Sequence, residues 1–242
     1  MGTFWRHVNS VIKNSNIILE VLDARMIRET RNPEIESKVK KSGKILLYVV
    51  NKSDLCSKEE VEKTKKFLKP SVFVSSIDRL GTTILKKKIL ELSKGESTVV
   101  GVLGYPNVGK SSLINALSGK GAAKTSSESG YTKGLQKVKV DRRIMLLDTP
   151  GVFPNMEKNQ FKHSKTGSIS SEKVKDPESV VLELITNNFE KIKKHYGVEG
   201  ENNEEILENI GLKYCKLLKG NIVNLDSTSR MIIKDWQRGA II

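Results

Sequence analysis

The 242-residue sequence predicts an α/β fold, a mostly parallel sheet with helices on both faces, followed by a small all-helical domain. Three observations carry that expectation. Short apolar runs alternate with amphipathic stretches through the first part of the chain, the pattern of strands that return through helical crossovers. A glycine-bearing turn, Gly104 to Lys110, separates one such apolar run from a helical one. Beyond Asp176 the apolar residues recur only at helical intervals.

In chain order, strands are expected at Ile17 to Leu22 (IILEVL), Ile45 to Val50 (ILLYVV), Val72 to Ser75, Val99 to Leu103, Gln136 to Val140 and Ile144 to Leu147. Each is rich in aliphatic or β-branched residues and bounded by polar or turn-forming ones. Helices are expected between them at Pro33 to Lys41, Lys58 to Leu68, Thr82 to Leu92 and Lys110 to Leu117. Only Asp141, Arg142 and Arg143 separate the last two strands, so these form an antiparallel hairpin. The small polar segment SKGES, Ser93 to Ser97, reads as a joint.

Residues 156–176 turn Ser/Lys-rich and read as a linker between a domain at 1–155 and a helical domain at 177–242. In the latter, Asp176 caps a helix with Pro177 in its first turn and Val181, Leu184, Ile185, Phe189 and Ile192 on one face. Helices at Glu204 to Leu218 and Ser227 to Arg238, the second ended by Gly239, complete it.

Composition narrows the function classes. Net charge is +14, and residues 1–154 hold 28 Lys/Arg against 15 Asp/Glu while residues 155–242 hold 14 against 13. So uneven an excess favours a polyanionic partner, with RNA first. Arg25 and the run Lys86 to Lys88 are candidate contacts. Cys56 and Cys215 lack metal or redox spacing, as do His7, His163 and His195. No run approaches the roughly 18 apolar residues of a membrane span. The start MGTFWRHVN lacks a secretory core, and Arg6 stands where a myristoylation signal wants Ser or Thr. A cytoplasmic monomer without a membrane partner is the expectation.

The segment Gly104-Tyr-Pro-Asn-Val-Gly109-Lys110-Ser111 fits the phosphate-loop pattern GxxxxGK[ST] between a strand and a helix. Its glycines let backbone N–H groups of Asn107, Val108, Gly109, Lys110, Ser111 and Ser112 approach phosphate at the positive end of the helix. Lys110 is expected on the β- and γ-phosphates, and Ser111 on Mg²⁺. Asp148-Thr149-Pro150-Gly151 follows the last strand, where Asp148 steadies Mg²⁺ through water and the Gly151 N–H senses the γ-phosphate. Asn51-Lys52-Ser53-Asp54 selects the base. The Asp54 carboxylate accepts from the ring N–H and the amino group of guanine, a donor pair that adenine lacks. Asn51 holds the five-membered ring and the neighbouring loop, and the Lys52 stem packs along the base. Ser75 and Ser76 form a loop whose N–H groups receive the guanine oxygen. In Ser129-Gly130-Tyr131-Thr132-Lys133, Thr132 is the expected Mg²⁺-sensing hydroxyl of a first switch, with Thr125 a competitor. The cofactors implied are GTP or GDP and Mg²⁺.

The base-reading NKSD precedes the phosphate loop by about fifty residues, the reverse of the usual order. Joining close-lying termini through a short link such as SKGES and reopening the chain elsewhere produces this arrangement. Through Asp23-Ala24-Arg25, NKSD, GYPNVGKSS, the switch threonine and DTPG, the chain resembles the YlqF/YawG family of circularly permuted GTPases. The segment Asn224 to Gly239 is similar to that family's closing helix. Two departures are Ser129 and Met26-Ile27, where proline is usual. The resemblance implies a circularly permuted P-loop GTPase domain, a role in assembly of the large ribosomal subunit, and RNA contacts from both domains.

Val152 stands where signalling GTPases place a water-orienting glutamine, so slow intrinsic turnover is expected. In GxPNxGKS enzymes the asparagine, here Asn107, is associated with K⁺ beside the β- and γ-phosphates, which makes K⁺ the candidate second ion. The expected catalytic set is therefore Lys110, Asn107, Thr132 and Gly151. Gly151 runs almost directly into the linker, so switch movement has a short route to the helical domain. Two alternatives stay open: a GTP-regulated RNA-binding module with negligible turnover, and a GTPase in tRNA modification.

Overall fold

A computed structural model describes residues 3–119, 136–148, 166 and 169–241. The chain divides into two compact units, Met1–Glu157 and Lys158–Ile242.

Among the described residues, the first unit is built on a six-stranded sheet. Its strands are β1 (Ile17–Asp23), β2 (Ile45–Asn51), β3 (Ser71–Phe73), β4 (Thr98–Gly104), β5 (Gln136–Lys139) and β6 (Ile144–Asp148). They lie in the order β3-β2-β1-β4-β6-β5, and all pairs are parallel except β5 with β6. That hairpin turns on Asp141, whose Oδ1 accepts the N–H groups of Arg143 at 2.7 Å and Ile144 at 3.0 Å. β3 begins one residue before, and ends two residues before, the strand expected at Val72 to Ser75. Ser75 instead pairs with Leu80 across a tight loop, which ends the ladder early.

Helices cover both faces, as strand alternation requires. Ile17, Leu19 and Val21 point to the side of α5 (Thr82–Leu92) and α6 (Lys110–Ser118), where Leu85, Ile89, Leu113 and Leu117 complete the core. Ile18 points the other way, to α1 (Thr3–Asn14) and α3 (Pro33–Lys41). A short α2 (Ile27–Thr30) precedes α3, and α4 (Lys58–Phe67) leads to Leu68, which packs on Leu22 and Val50.

Helix α1 was not among the expected elements. Trp5, Val8, Val11 and Ile12 are all buried, which removes apolar surface worth on the order of 8 kcal/mol before chain entropy. Gly101 permits the fit, because a Cβ there would collide with the Val11 side chain. β1 carries two carboxyls in its buried run, Asp23 at its end and Glu20 in its interior. Glu20 Oε1 accepts the Asn32 N–H at 2.7 Å, while Asn32 Oδ1 caps α3 through the N–H groups of Glu34 and Ile35. Burial pushes the Glu20 carboxyl up to about 8 despite that bond.

The second unit holds α7 (Pro177–Tyr196), α8 (Asn203–Lys213) and α9 (Leu225–Arg238). Asp176, Asn202 and Asn224 cap them by accepting N–H groups three residues on, and Gly197 and Gly239 end α7 and α9 in the left-handed region. α8 stops five residues short of the expected Leu218. The chain turns at Cys215 (φ 52°) and returns in a bridge between Leu217 and Val223. Residues 169–175 fall in the stretch that composition assigns to a linker, yet α9 ties them down. Arg230 Nη1 donates to the carbonyls of Ser171, Glu172 and Val174, and Gln237 Nε2 to that of Ile169. Ser/Lys-rich composition misleads here because the holding groups are backbone carbonyls. No helix among the described residues is long and apolar enough to cross a membrane.

Candidate nucleotide-binding site

Because β1, β2, β4 and β6 are parallel, their last residues share one edge of the sheet. Asp23 lies opposite Asn51, Gly104 opposite Val21, and Asp148 opposite Val102. Chain order reverses between β1 and β4, and ligands of open α/β sheets bind in the crevice at such a point.

The phosphate loop joins β4 to α6 and bends where its glycines allow. Gly104 (φ 147°) would place a Cβ 2.5 Å from the Val21 carbonyl oxygen, and Gly109 (φ 92°) would drive one into the Asn51 amide. Asn107 also adopts a positive φ, 59°. The loop opens into the N-terminus of α6, where the free N–H groups and helix dipole suit a phosphate. Lys110 is buried, and its Nζ donates to the carbonyls of Tyr105 at 2.6 Å and Gly104 at 3.1 Å. A buried ammonium needs acceptors, and it takes the loop's own rather than extending outward. Burial lowers its pKa to about 8, with the nearby Asp148 carboxylate opposing the shift.

Asn51 staples three segments. Its Nδ2 donates to the Val108 carbonyl at 2.9 Å, and its Oδ1 accepts the N–H (3.2 Å) and hydroxyl (2.7 Å) of Ser76. The base loop, the phosphate loop and the Ser75–Ser76 loop are thereby held as one frame. Ser75 N–H donates to Leu80, and the Ser75 hydroxyl to Asp78. Both N–H groups expected to receive the guanine oxygen are thus spent on protein acceptors. Ser76 serves the base only by giving up Asn51. Asp54 sits in a short 3-10 turn, Ser53–Leu55, with its side chain exposed.

Sequence reasoning missed what holds Lys52. Its backbone is left-handed (φ 60°), and its Nζ lies 2.8 Å from Oδ2 of buried Asp23. Arg25 grips the same carboxylate in a fork, Nε to Oδ1 at 3.0 Å and Nη2 to Oδ2 at 2.9 Å. Burial pushes the Asp23 carboxyl up, but the Lys52 ammonium and Arg25 guanidinium outweigh it and hold the group well below the usual carboxylate range. Burial lowers the Lys52 pKa, and Asp23 offsets part of that. The Arg25 side chain is 6% exposed, so it is structural and not the RNA contact that its charge suggested. The one available signal was the acidic residue ending a buried strand.

Asp148 ends β6, 1% exposed, and acts on Lys110 through its charge. Ser111 is the second residue of α6, directly after Lys110. One carboxylate and one hydroxyl next to a phosphate cradle form a hard-oxygen donor set that suits Mg²⁺ completed by phosphate and water. Among the described residues no group of three His, Cys, Asp or Glu could hold a metal by itself. Thr125, Thr132, Gly151 and Val152 lie outside the described residues.

Residues 99–212 match the family model described as 50S ribosome-binding GTPase. The match begins at the phosphate-loop strand and leaves out the base-reading loop, as a permuted order requires. The chain is 45% identical to an uncharacterized GTP-binding protein of Methanocaldococcus jannaschii, over 97% of this chain and 65% of that protein. It is 32% identical to nucleolar GTP-binding protein 2 of Pneumocystis carinii, over 98% of this chain and 52% of that one. The crystal structure of GNP-bound YlqF from T. maritima superposes with a TM-score of 0.68 over 98% of this chain and 94% of that one, at 21% identity. The chain thus shares the fold of YlqF, and its residues 99–212 match a GTPase family model. The chain spans about half to two thirds of those curated relatives' length.

Proposed function

We propose that the protein binds GTP with Mg²⁺, hydrolyses it slowly to GDP and phosphate, and uses the cycle to time its docking on the large ribosomal subunit or its precursor. The observation that carries this reading is Asn51, which bonds the guanine-reading loop to the phosphate loop at Val108. Base choice and phosphate grip are thereby one rigid unit.

In this reading Asp54 accepts the two guanine donors. Lys110 leaves the Tyr105 and Gly104 carbonyls for the β- and γ-phosphates, an exchange of one set of acceptors for a more negative one. Ser111 and Asp148 hold Mg²⁺, which supplies charge neutralisation at the transferring phosphoryl group. Thr132 and Gly151 sense the γ-phosphate, and K⁺ held near Asn107 supplements the positive charge. With Val152 after the switch glycine, the protein itself orients no water through a side-chain amide, so full activation comes from the docked particle. Ribosomal RNA is the partner the +14 charge favours, the protein acts as a monomer, and the cytoplasm is the compartment of this reading. The name 50S ribosome-binding GTPase of the matched family supports the destination. Sedimentation with ribosomal subunits in GDP and in a non-hydrolysable GTP analogue tests it. Co-migration with large subunits only in the analogue is expected, and absence from that fraction in both states ends the docking reading.

A further inference from the structure

A cleft of about 500 Å³ opens between the C-terminal ends of α1 and α3, lined by Asn9, Ile12, Lys13, Lys38, Lys41 and Lys44, with Ser42 at its rim. It lies at the opposite edge of the sheet from the nucleotide. α1 runs into the start of β1 and α3 into the start of β2, and the Asn16 carbonyl accepts the Ile45 N–H between them. Seven strand residues separate this edge from Asp23 and Asn51, roughly 20 Å at the rise of a β-strand. That exceeds a Debye length of about 8 Å at physiological salt, so these lysines do nothing for the nucleotide.

No carboxylate lines the cleft. Lys13, Lys41 and Lys44 form no ion pair among the described residues. Lys38 is held in place, its Nζ 3.2 Å from Asn9 Oδ1 and 4.6 Å from the centre of the Trp5 ring. Helix dipoles favour a lysine at each helix end. They do not bring lysines from three segments to one concavity without an acid between them. Like charges so gathered repel in the free protein, and a polyanion relieves that repulsion.

We infer that this cleft is a second anion site, one that seats the phosphodiester backbone of RNA at the edge of the sheet remote from GTP. It rests on the ribosomal reading for the identity of the RNA, and it adds where on the GTPase unit that RNA lies. Shape favours phosphate over a lipid surface, since the only apolar lining residue, Ile12, is itself buried. A partner that spans this edge leaves the nucleotide crevice open for exchange.

The test compares the full chain with a variant carrying Lys13→Gln, Lys41→Gln and Lys44→Gln. A control carries Lys58→Gln, Lys63→Gln and Lys66→Gln, which removes equal charge from exposed positions on α4. Binding to an RNA duplex of about 20 base pairs is measured across salt. The cleft variant is expected to bind about 10- to 100-fold more weakly near 0.1 M salt, with the log–log salt slope reduced by about 2 to 3. GDP affinity stays unchanged and the control loses less than about threefold. Equal losses in both variants, or an unchanged slope, overturn the inference. So does equal, cleft-dependent binding of polyglutamate, which assigns the surface to an acidic protein. If the wild type binds the duplex through the cleft but never sediments with large subunits, the ribosomal reading fails and the anion site stands. The reverse outcome removes only the cleft.

Discussion

The two edges of one sheet carry charge in opposite ways. At the C-terminal edge Asp23, Lys52, Arg25, Lys110 and Asp148 are buried or nearly so, and each cation has an acceptor within 3.1 Å. At the N-terminal edge Lys13, Lys41 and Lys44 stand among amides and hydroxyls with no carboxylate in the cleft. Desolvated, forked pairs fix geometry within a narrow tolerance and are weakly screened. Solvated lysines act at a distance, tolerate many partner geometries and weaken with salt. A parallel sheet makes the division possible, because it gives every loop after a strand to one edge and every loop before a strand to the other.

The largest effect expected from breaking this contrast is at Asp23. Asp23→Asn leaves Lys52 and Arg25 partnered by a neutral amide, and loss of one member of a buried pair costs about 3–5 kcal/mol. Urea denaturation is expected to show that loss together with weaker guanine-nucleotide binding. Unchanged values in both would make the triad inert.

Glu20 sits between the edges, buried like one and without an ionic partner like the other. Its folded pKa of about 8 lies above the ordinary 4.5. The stability it contributes is full below about pH 4.5 and is lost as pH rises through about 8, on the order of 5 kcal/mol at most. Glu20→Gln keeps the acceptor for Asn32 and should flatten the unfolding free energy across that window. A variant whose pH profile still parallels the wild type would show that the proton is held elsewhere.

Next in size is Lys110→Ala, expected to lower turnover by about 10²- to 10³-fold through loss of one charged donor to the phosphates. This loss should persist at high salt, unlike that of the cleft variant, and a steep salt dependence would erase the contrast between the edges. Gly109→Ala forces a Cβ into the Asn51 amide and should weaken nucleotide binding about tenfold, on the order of one hydrogen bond. Isothermal titration reads it, and unchanged affinity would show that the Asn51–Val108 bond is dispensable. The smallest effect is at Asn107. Hydrolysis is expected to run several-fold faster in K⁺ than in Na⁺, a preference that Asn107→Ala abolishes. Equal rates of the wild type in both salts remove the cation from the mechanism.

Much of the fold was legible because local rules and tertiary packing agree. α3 and α5 begin and end where their turn residues and periodicity place them, and Asp176 caps α7 and Gly239 ends α9 as expected. α1 escaped notice although Trp5, Val8, Val11 and Ile12 repeat at helical spacing, because polar residues between them lower the mean hydropathy of a segment whose apolar face is nonetheless fully buried. The motifs named the site residues, but motif matching treats each as a contact to ligand. It does not reveal that Ser75 and Ser76 donate to protein, or that Arg25 supports Lys52.

The sequence by itself determined the candidates for the chemistry: Asp54 for guanine choice, Gly104 to Ser111 for a phosphate loop, Asp148 for a metal, and the permuted order of these motifs. Those depend on residue type and short spacing, which the chain carries locally. The tertiary structure decided what lies beside what. Asp23 and Lys52 are 29 positions apart, Asn51 and Val108 57 apart, and Lys13 and Lys41 28 apart. Their meetings follow from strand register and helix packing, which bring distant segments together in ways that no local window of sequence encodes.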